Sequence, residues 1–213
     1  MKIICLIPTY NTPIKQLAEC VQSVMDQSYP VKKIIVWDDG SNKPEELIKI
    51  HDLITVKNHV ILHVFESIVN KGTASTLNRG HKIATEEGYD WVMIHGASDI
   101  SHPDRVKKQV AYLKAHPETD VLSTGLTAFK GSKHTQIFSF VHPEKPIPGY
   151  RKGHDKYFIA NHGTVIYRNS AVMKVGGYTD GYGRGQDVEL WRRMHESGAI
   201  FRAIPDILYY WRR

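Results

Sequence analysis

The stretch Asp90-Trp91-Val92-Met93-Ile94-His95-Gly96-Ala97-Ser98-Asp99-Ile100-Ser101-His102-Pro103-Asp104-Arg105 decides the fold. Four apolar residues, Trp91 to Ile94, stop abruptly at small and polar ones, and Pro103 then opens a helical pattern. A buried parallel strand has this pattern when its carboxyl end delivers side chains into a crevice. Asp99 is the acid delivered there.

Toward the amino terminus, residues 2–8, 33–37 and 60–65 are apolar runs of strand length. Ile14, Leu17, Val21, Val24 and Met25 recur at helical spacing after Pro13, which suits a first helical position. Residues 44–56 carry a helical pattern, and residues 73–87 set Ala74, Leu77, His81 and Ala84 along one face. A further helix is expected over residues 103–116. Strand and helix alternate four times, which predicts an α/β fold with a mostly parallel central sheet flanked by helices. Three strands end in polar clusters: Pro8-Thr9-Tyr10, Asp38-Asp39-Gly40-Ser41 and Gly96-Ala97-Ser98-Asp99. Such ends face one crevice, so the clusters are expected to meet.

Past Asp120 the rhythm changes. Residues 121–130 and 135–141 have strand patterns joined at Gly131-Ser132, which predicts a smaller antiparallel region in the C-terminal half. Residues 142–153 hold three prolines and two glycines and are the expected mobile loop. A strand over 163–167 and a short helix capped by Asn169 or Ser170 follow, the helix ending at Gly176-Gly177. A glycine- and tyrosine-rich segment, 178–185, leads to a helix over 187–197, and one or two short strands lie within 200–210. The expected organisation is a single domain over 1–213, with a nucleotide-binding half (1–117) and an acceptor-binding half (118–213).

The chain has 213 residues, 41% apolar and 23% charged, enough for one substantial core. Its formal charge of +6 comes from scattered Lys and Arg, which favours a solvated basic surface over a phosphate-bearing ligand, and that over nucleic acid. Cys5 and Cys20 fall in apolar patterns and are expected to be buried free thiols. Apolar runs are too short to span a bilayer, and Met1 leads straight into a strand, so no leader or membrane span and a cytoplasmic location are expected. There is no Gly-x-Gly-x-x-Gly, no P-loop and no His-Glu-x-x-His, which removes support for dinucleotide oxidoreductases, P-loop enzymes and zincin-type metal sites. His81 on an apolar helix face is expected to be a satisfied core residue.

A donor built of base, ribose, diphosphate and sugar needs distinct partners. Asp39 could accept an imide N–H, and Thr9-Tyr10 could offer backbone groups and a ring, although Asp-Gly-Ser is also turn chemistry and one of Asp38 and Asp39 could serve as a cap. Asp187 and Glu189 open a helix behind Gly181-Tyr182-Gly183-Arg184-Gly185. A carboxylate there could take the proton of an attacking hydroxyl, or could simply complement the helix dipole, worth under about 1 kcal/mol.

Taken together, these residues resemble the GT-A-fold inverting glycosyltransferases of family 2. The resemblance rests on six segments in order along nearly the whole chain. They are Ile7-Pro8-Thr9-Tyr10-Asn11, then Ser23-Val24-Met25-Asp26-Gln27-Ser28-Tyr29-Pro30, then Val36-Trp37-Asp38-Asp39-Gly40-Ser41. Asn70-Lys71-Gly72 with Leu77-Asn78-Arg79-Gly80 comes next, followed by Asp99-Ile100-Ser101-His102-Pro103-Asp104-Arg105 with Gln109 and His116-Pro117. Val175-Gly176-Gly177-Tyr178 with Gln186-Asp187-Val188-Glu189-Leu190-Trp191 closes the set. The resemblance implies a nucleotide-sugar donor, UDP-linked above all, held by Pro8, Thr9, Tyr10, Asp39, Asn70, Gly72, Asn78, Ser98 and Asp99. It implies Asp187 as general base, a glycan or other hydroxyl as acceptor, and Mg²⁺ or Mn²⁺ at Asp99. The loop over 149–161 and the His162-Gly163 turn would line the acceptor side.

The chain departs from that pattern at the metal motif. Where such enzymes carry Asp-x-Asp-Asp, it has Gly96-Ala97-Ser98-Asp99, so metal ligation would fall to Asp99, with Ser98 or His95, or would be weak. The Glu before the base is Gln186, and relatives carry a histidine beyond the position of Arg213. Three readings follow: an active glycosyltransferase, a degenerate nucleotide-sugar or glycan binder, and a transferase acting on modified DNA. Retention of Asp187 favours the first.

Overall fold

A computed structural model describes residues 1–145 and 160–213. The expected mobile loop (142–153) and the acceptor loop (149–161) lie largely outside the described residues.

Strand β1 (Ile3–Thr9) sits at the centre of the N-terminal half, paired in parallel with β2 (Lys33–Asp38) and with β4 (Trp91–Ile94). Strand β3 (Ile61–Glu66) pairs in parallel with β2 at the edge. Helix α1 (Ile14–Met25) buries Leu17, Cys20, Val21, Val24 and Met25 against one sheet face. Pro13 stands at its N-cap, one position ahead of the expected one. Helix α3 (Thr73–Glu86) buries Ala74, Leu77, His81 and Ala84 against the other face.

Residues 44–56 do not form the continuous helix their pattern suggests. A 3₁₀ segment (Pro44–Lys49) gives way to one α-turn, α2 (Ile50–Leu53). Leu47 and Ile50 are buried there while Ile48, Leu53 and Val56 stay exposed, so the buried spacing is three residues, the 3₁₀ period.

Short β5 (Ile100–Ser101) precedes α4 (Arg105–Ala115), and the long strands β6 (Val121–Lys130) and β7 (Ser132–Phe140) form the expected antiparallel hairpin. The expected strand at 163–167 starts later. His162–Thr164 is a 3₁₀ turn, tied by the Thr164 hydroxyl donating to Asn161 O at 2.7 Å, and β8 spans Ile166–Arg168. Gly163 packs so tightly on Tyr209 that a Cβ there would overlap the ring. Helix α5 (Asn169–Lys174) begins at Asn169 itself, with Arg168 at the cap position. Helix α6 (Gln186–Glu196) follows, and the C-terminal segment is one strand, β9 (Phe201–Arg212), instead of two short ones. Its register against β6 shifts between Thr124 and Gly125, where Pro205 and Asp206 bulge out.

The sheet order is β3-β2-β1-β4-β8-β6-β9-β5, with β7 on β6. The first four strands are parallel, and antiparallel β8 inserts beside β4 and links both halves into one sheet. The fold is mixed α/β with a largely parallel half and an antiparallel addition, as expected. Cys5 and Cys20 are buried free thiols. Among the described residues no helix is long and apolar enough to cross a membrane.

Candidate active site

The ends of β1 and β2 meet, and hydrogen bonds stitch them, whereas the polar end of β4 lies across β1 in a separate cleft. The Asp39 amide donates to Thr9 O at 2.9 Å, the Asn11 amide to Ser41 Oγ at 2.7 Å, and the Asn42 amide to Asn11 Oδ1 at 2.9 Å. The two acids of the Asp38-Asp39 pair divide their work. Asp38 caps its own turn, accepting from the Ser41 amide at 2.9 Å and from the Ser41 hydroxyl. Asp39 reaches across to accept from the amides of Lys71 (3.0 Å) and Gly72 (2.7 Å), so it fixes the Asn70-Lys71-Gly72 turn beside it. Gly40 permits this approach: its φ is +79°, and a Cβ would stand 2.7 Å from Asn70 N. Tyr10 is half exposed at the rim.

Consecutive residues of β1 face opposite sides. Thr9 lines a hollow of about 390 Å³ with Asp38, Ser41 and Asn11. Pro8 faces a cleft of about 380 Å³ whose other walls include Gly96, Asp99, His162, Tyr209 and Trp211.

Asp99 stands in that cleft, but its carboxylate is engaged. Tyr209 donates to Oδ2 at 2.6 Å and the Arg212 amide to Oδ1 at 2.8 Å, while Arg212 Nε donates to Ser98 O at 2.8 Å. Burial raises the Asp99 carboxyl above its ordinary range; the Tyr209 bond and Arg212 oppose this. A Cβ at Gly96 would overlap the Asp99 carboxylate, so the first acid of an Asp-x-Asp motif has no room here. His95 is fully buried, with Nδ1 against Cys20 Sγ (3.3 Å) and Gly96 O (2.9 Å) and Nε2 against Ser101 Oγ (2.9 Å). Burial, then the Arg105 charge, push it down to about 3, so it is neutral. Arg105, itself buried, donates to Ser101 Oγ and to the carbonyls of Ile94 and Val165.

A hard divalent cation asks for six or more oxygens, with Mg²⁺ commonly taking one or two carboxylates beside phosphate and water. Here one carboxylate, already accepting two donors, faces an arginine-held carbonyl at Ser98, and His95 has both nitrogens occupied. Among the described residues no group of three His, Cys, Asp or Glu gathers. This donor set does not fit a protein-built Mg²⁺ or Mn²⁺ site.

The two acids of α6 also separate. Glu189 accepts from Arg193 Nε (2.6 Å) and Nη2 (2.7 Å) and from Thr179 (3.1 Å), and Arg193 donates on to Gly177 O, so this pair fastens the helix to the glycine-rich loop. Those bonds hold its carboxyl below the usual range. Asp187 has no hydrogen bond or ion pair among the described residues, and it does not cap the helix. It is half-buried, and its charge reaches His162, a cleft residue, and Tyr178.

Asn78, expected among the donor contacts, has its amide consumed: Nδ2 donates to Tyr178 O and Oδ1 accepts from Tyr178 N, both at 2.8 Å. It clamps α3 to the loop before α6, and Gly177 leaves it room. Asn70 accepts from the Gly72 amide at 3.2 Å and is exposed, while Gly72, at φ +87°, is the N-cap of α3. The sequence reading missed Tyr209 and Arg212, which satisfy Asp99, and the Tyr167–Tyr178–His162 contacts. The missing acids at Gly96 and Ser98 were the one signal that something else serves Asp99.

Residues 4–176 match the model described as glycosyl transferase family 2. The chain belongs to glycosyl transferase family 2. Over 211 residues it is 30% identical to an uncharacterized glycosyltransferase of Haemophilus influenzae, covering 99% of the chain and 75% of that protein. It is 24% identical to the amylovoran biosynthesis glycosyltransferase AmsE of Erwinia amylovora, over 95% of the chain and 73% of that protein. The crystal structure of S. aureus TarS 1–349 in complex with UDP-GlcNAc superposes with a TM-score of 0.77 at 19% identity, covering all of this chain and 59% of that one. Of the longer TarS chain it spans 37%. The family 2 chain is thus a glycosyltransferase with the GT-A fold.

Proposed function

We propose that this family 2 enzyme moves a sugar from a UDP-sugar to an acceptor hydroxyl with inversion, Asp187 serving as general base. The observation that carries the reading is the contrast on α6: Glu189 is consumed by Arg193 and Thr179, whereas Asp187 is unpaired among the described residues and close enough to charge-couple to the cleft residue His162.

Pro8, Thr9 and Tyr10 with Asp39 form the seat for the base. Asp39 keeps a free lone pair on each oxygen after accepting two amides, enough to take an imide N–H. The sugar would then lie in the cleft between Gly96 and His162. An acceptor hydroxyl entering beside Asp187 gives up its proton as it attacks the anomeric carbon, and the nucleotide diphosphate leaves from the opposite side. Arg213, stacked 5.0 Å from the centroid of the cleft residue Trp211, would place a cation near the departing diphosphate. AmsE acts in amylovoran biosynthesis, and a polysaccharide hydroxyl is the acceptor class we favour here. A cytoplasmic location belongs to the same reading and agrees with two unpaired buried thiols.

The test is a panel of nucleotide sugars incubated with the enzyme and a hydroxyl acceptor, with and without EDTA, scored for nucleotide release and anomeric configuration. Transfer with inversion is expected. Absence of release with every donor, or a retained configuration, would overturn the reading.

A further inference from the structure

A buried hydrogen-bonded chain runs from the cleft to the far surface of the molecule. His162 Nε2 lies 2.7 Å from the Tyr178 hydroxyl, which lies 3.1 Å from the Tyr167 hydroxyl, and that is 2.8 Å from His81 Nε2. His81 Nδ1 is 2.7 Å from Asn169 Oδ1, and Asn169 Nδ2 donates to Thr85 Oγ1 at 2.9 Å. Tyr167, Tyr178, His81 and Asn169 are all buried, and Thr85 is exposed.

The direction of every proton in this chain follows from its outer end. The Thr85 hydroxyl donates to His81 O at 2.9 Å, so its oxygen must accept from the Asn169 amide. That turns the Asn169 carbonyl toward His81, and His81 Nδ1 must carry the proton. Burial pushes His81 down to about 4, so the ring is neutral near pH 7 and its Nε2 is bare. Tyr167 therefore donates to His81, Tyr178 to Tyr167, and His162 Nε2–H to Tyr178. Burial also lowers His162, which leaves its Nδ1 as an unprotonated acceptor.

We propose that Asn169, Tyr167 and Tyr178 are positioning residues that lock His162 of the cleft in its neutral Nε2–H tautomer. The catalytic consequence rests on Asp187 as base. An imidazolium at His162 would place a positive charge within reach of the carboxylate that takes the proton and weaken it as a base. The locked neutral tautomer adds no such charge, and its bare Nδ1 offers the acceptor hydroxyl a second lone pair.

Histidine-selective ¹⁵N NMR of the whole protein reads the tautomer directly. At pH 7 His162 should show one protonated nitrogen, Nε2, and a bare Nδ1. Tyr167→Phe, which does not touch the cleft, frees Tyr178 to donate to His162, so the His162 signals should shift to a mixture or to Nδ1–H. In parallel, kcat should fall while the donor KM holds. An Nδ1–H or imidazolium His162 in the unaltered protein, or unchanged His162 signals in a folded Tyr167→Phe protein, would overturn the lock. Should Tyr167→Phe not fold, the unaltered spectrum decides alone. The expected spectrum from a protein that transfers no sugar would count against Asp187 as base and leave the lock standing.

Discussion

The Tyr209 hydroxyl donates to Asp99 Oδ2 at 2.6 Å and accepts from the Gly96 amide at 2.9 Å, bridging the acid after β4 to the glycine three residues before it. A Cβ at Gly96 would overlap the Asp99 carboxylate, and one at Gly163 would overlap the Tyr209 hydroxyl. Gly96, Gly163 and the tyrosine are one packing solution.

Restoring the acid by Gly96→Asp should therefore destabilise the protein and not create a metal site. Overpacking of this kind costs roughly 1–3 kcal/mol, and a second buried carboxylate adds repulsion. Urea melts should show the loss, with no gain in Tm on adding Mn²⁺. A variant stabilised by Mn²⁺ would contradict this.

Tyr209→Phe removes one of two donors to a nearly buried carboxylate. The expected cost is about 1–3 kcal/mol, and the Asp99 carboxyl should move further up, since the hydroxyl opposes the effect of burial. Thermal melts at pH 7 and carboxyl titration by NMR check both.

Glu189→Gln should weaken the fold by about 1–2 kcal/mol through loss of the bidentate Arg193 pair, a partly buried interaction that solvent screens only in part. Its effect on turnover should be no greater than the structural loss accounts for. A variant of normal Tm that cannot transfer sugar would show that Glu189, not Asp187, does chemistry.

Stability should fall with acid. His81 and His95, pushed down to about 4 and about 3, stay neutral in the folded state, whereas the unfolded chain protonates them below about pH 6.5. Their contribution is complete above pH 6.5 and is lost as pH falls toward 4 and 3. Asp99, raised by burial, contributes with the opposite sign. Around pH 5 the slope should approach roughly 3 kcal/mol per pH unit, two protons bound on unfolding. Urea midpoints across pH 5–7 measure it, and a flat profile would contradict the buried neutral rings.

Most of the fold was legible because the N-terminal half is built from apolar runs that end sharply, and each polar end marks a strand terminus in the structure. His81 was legible as a core residue by its helical face. Residues 44–56 were not, since buried positions three apart suit a 3₁₀ turn as well as an α-helix. Of the candidate site, the division between Asp38 and Asp39 and that between Asp187 and Glu189 depend on which backbone amide or arginine folds beside each carboxylate. Tyr209 and Arg212 lie 110 and 113 residues from Asp99, and no local pattern announces such a pairing.

The most direct test of the account is Asp187→Asn in single-turnover transfer with saturating donor. The rate should fall by about 10²- to 10⁴-fold, the range for a lost general base, while donor affinity and Tm stay near those of the unaltered enzyme. A rate within tenfold of the unaltered enzyme, with intact folding, would contradict Asp187 as the base.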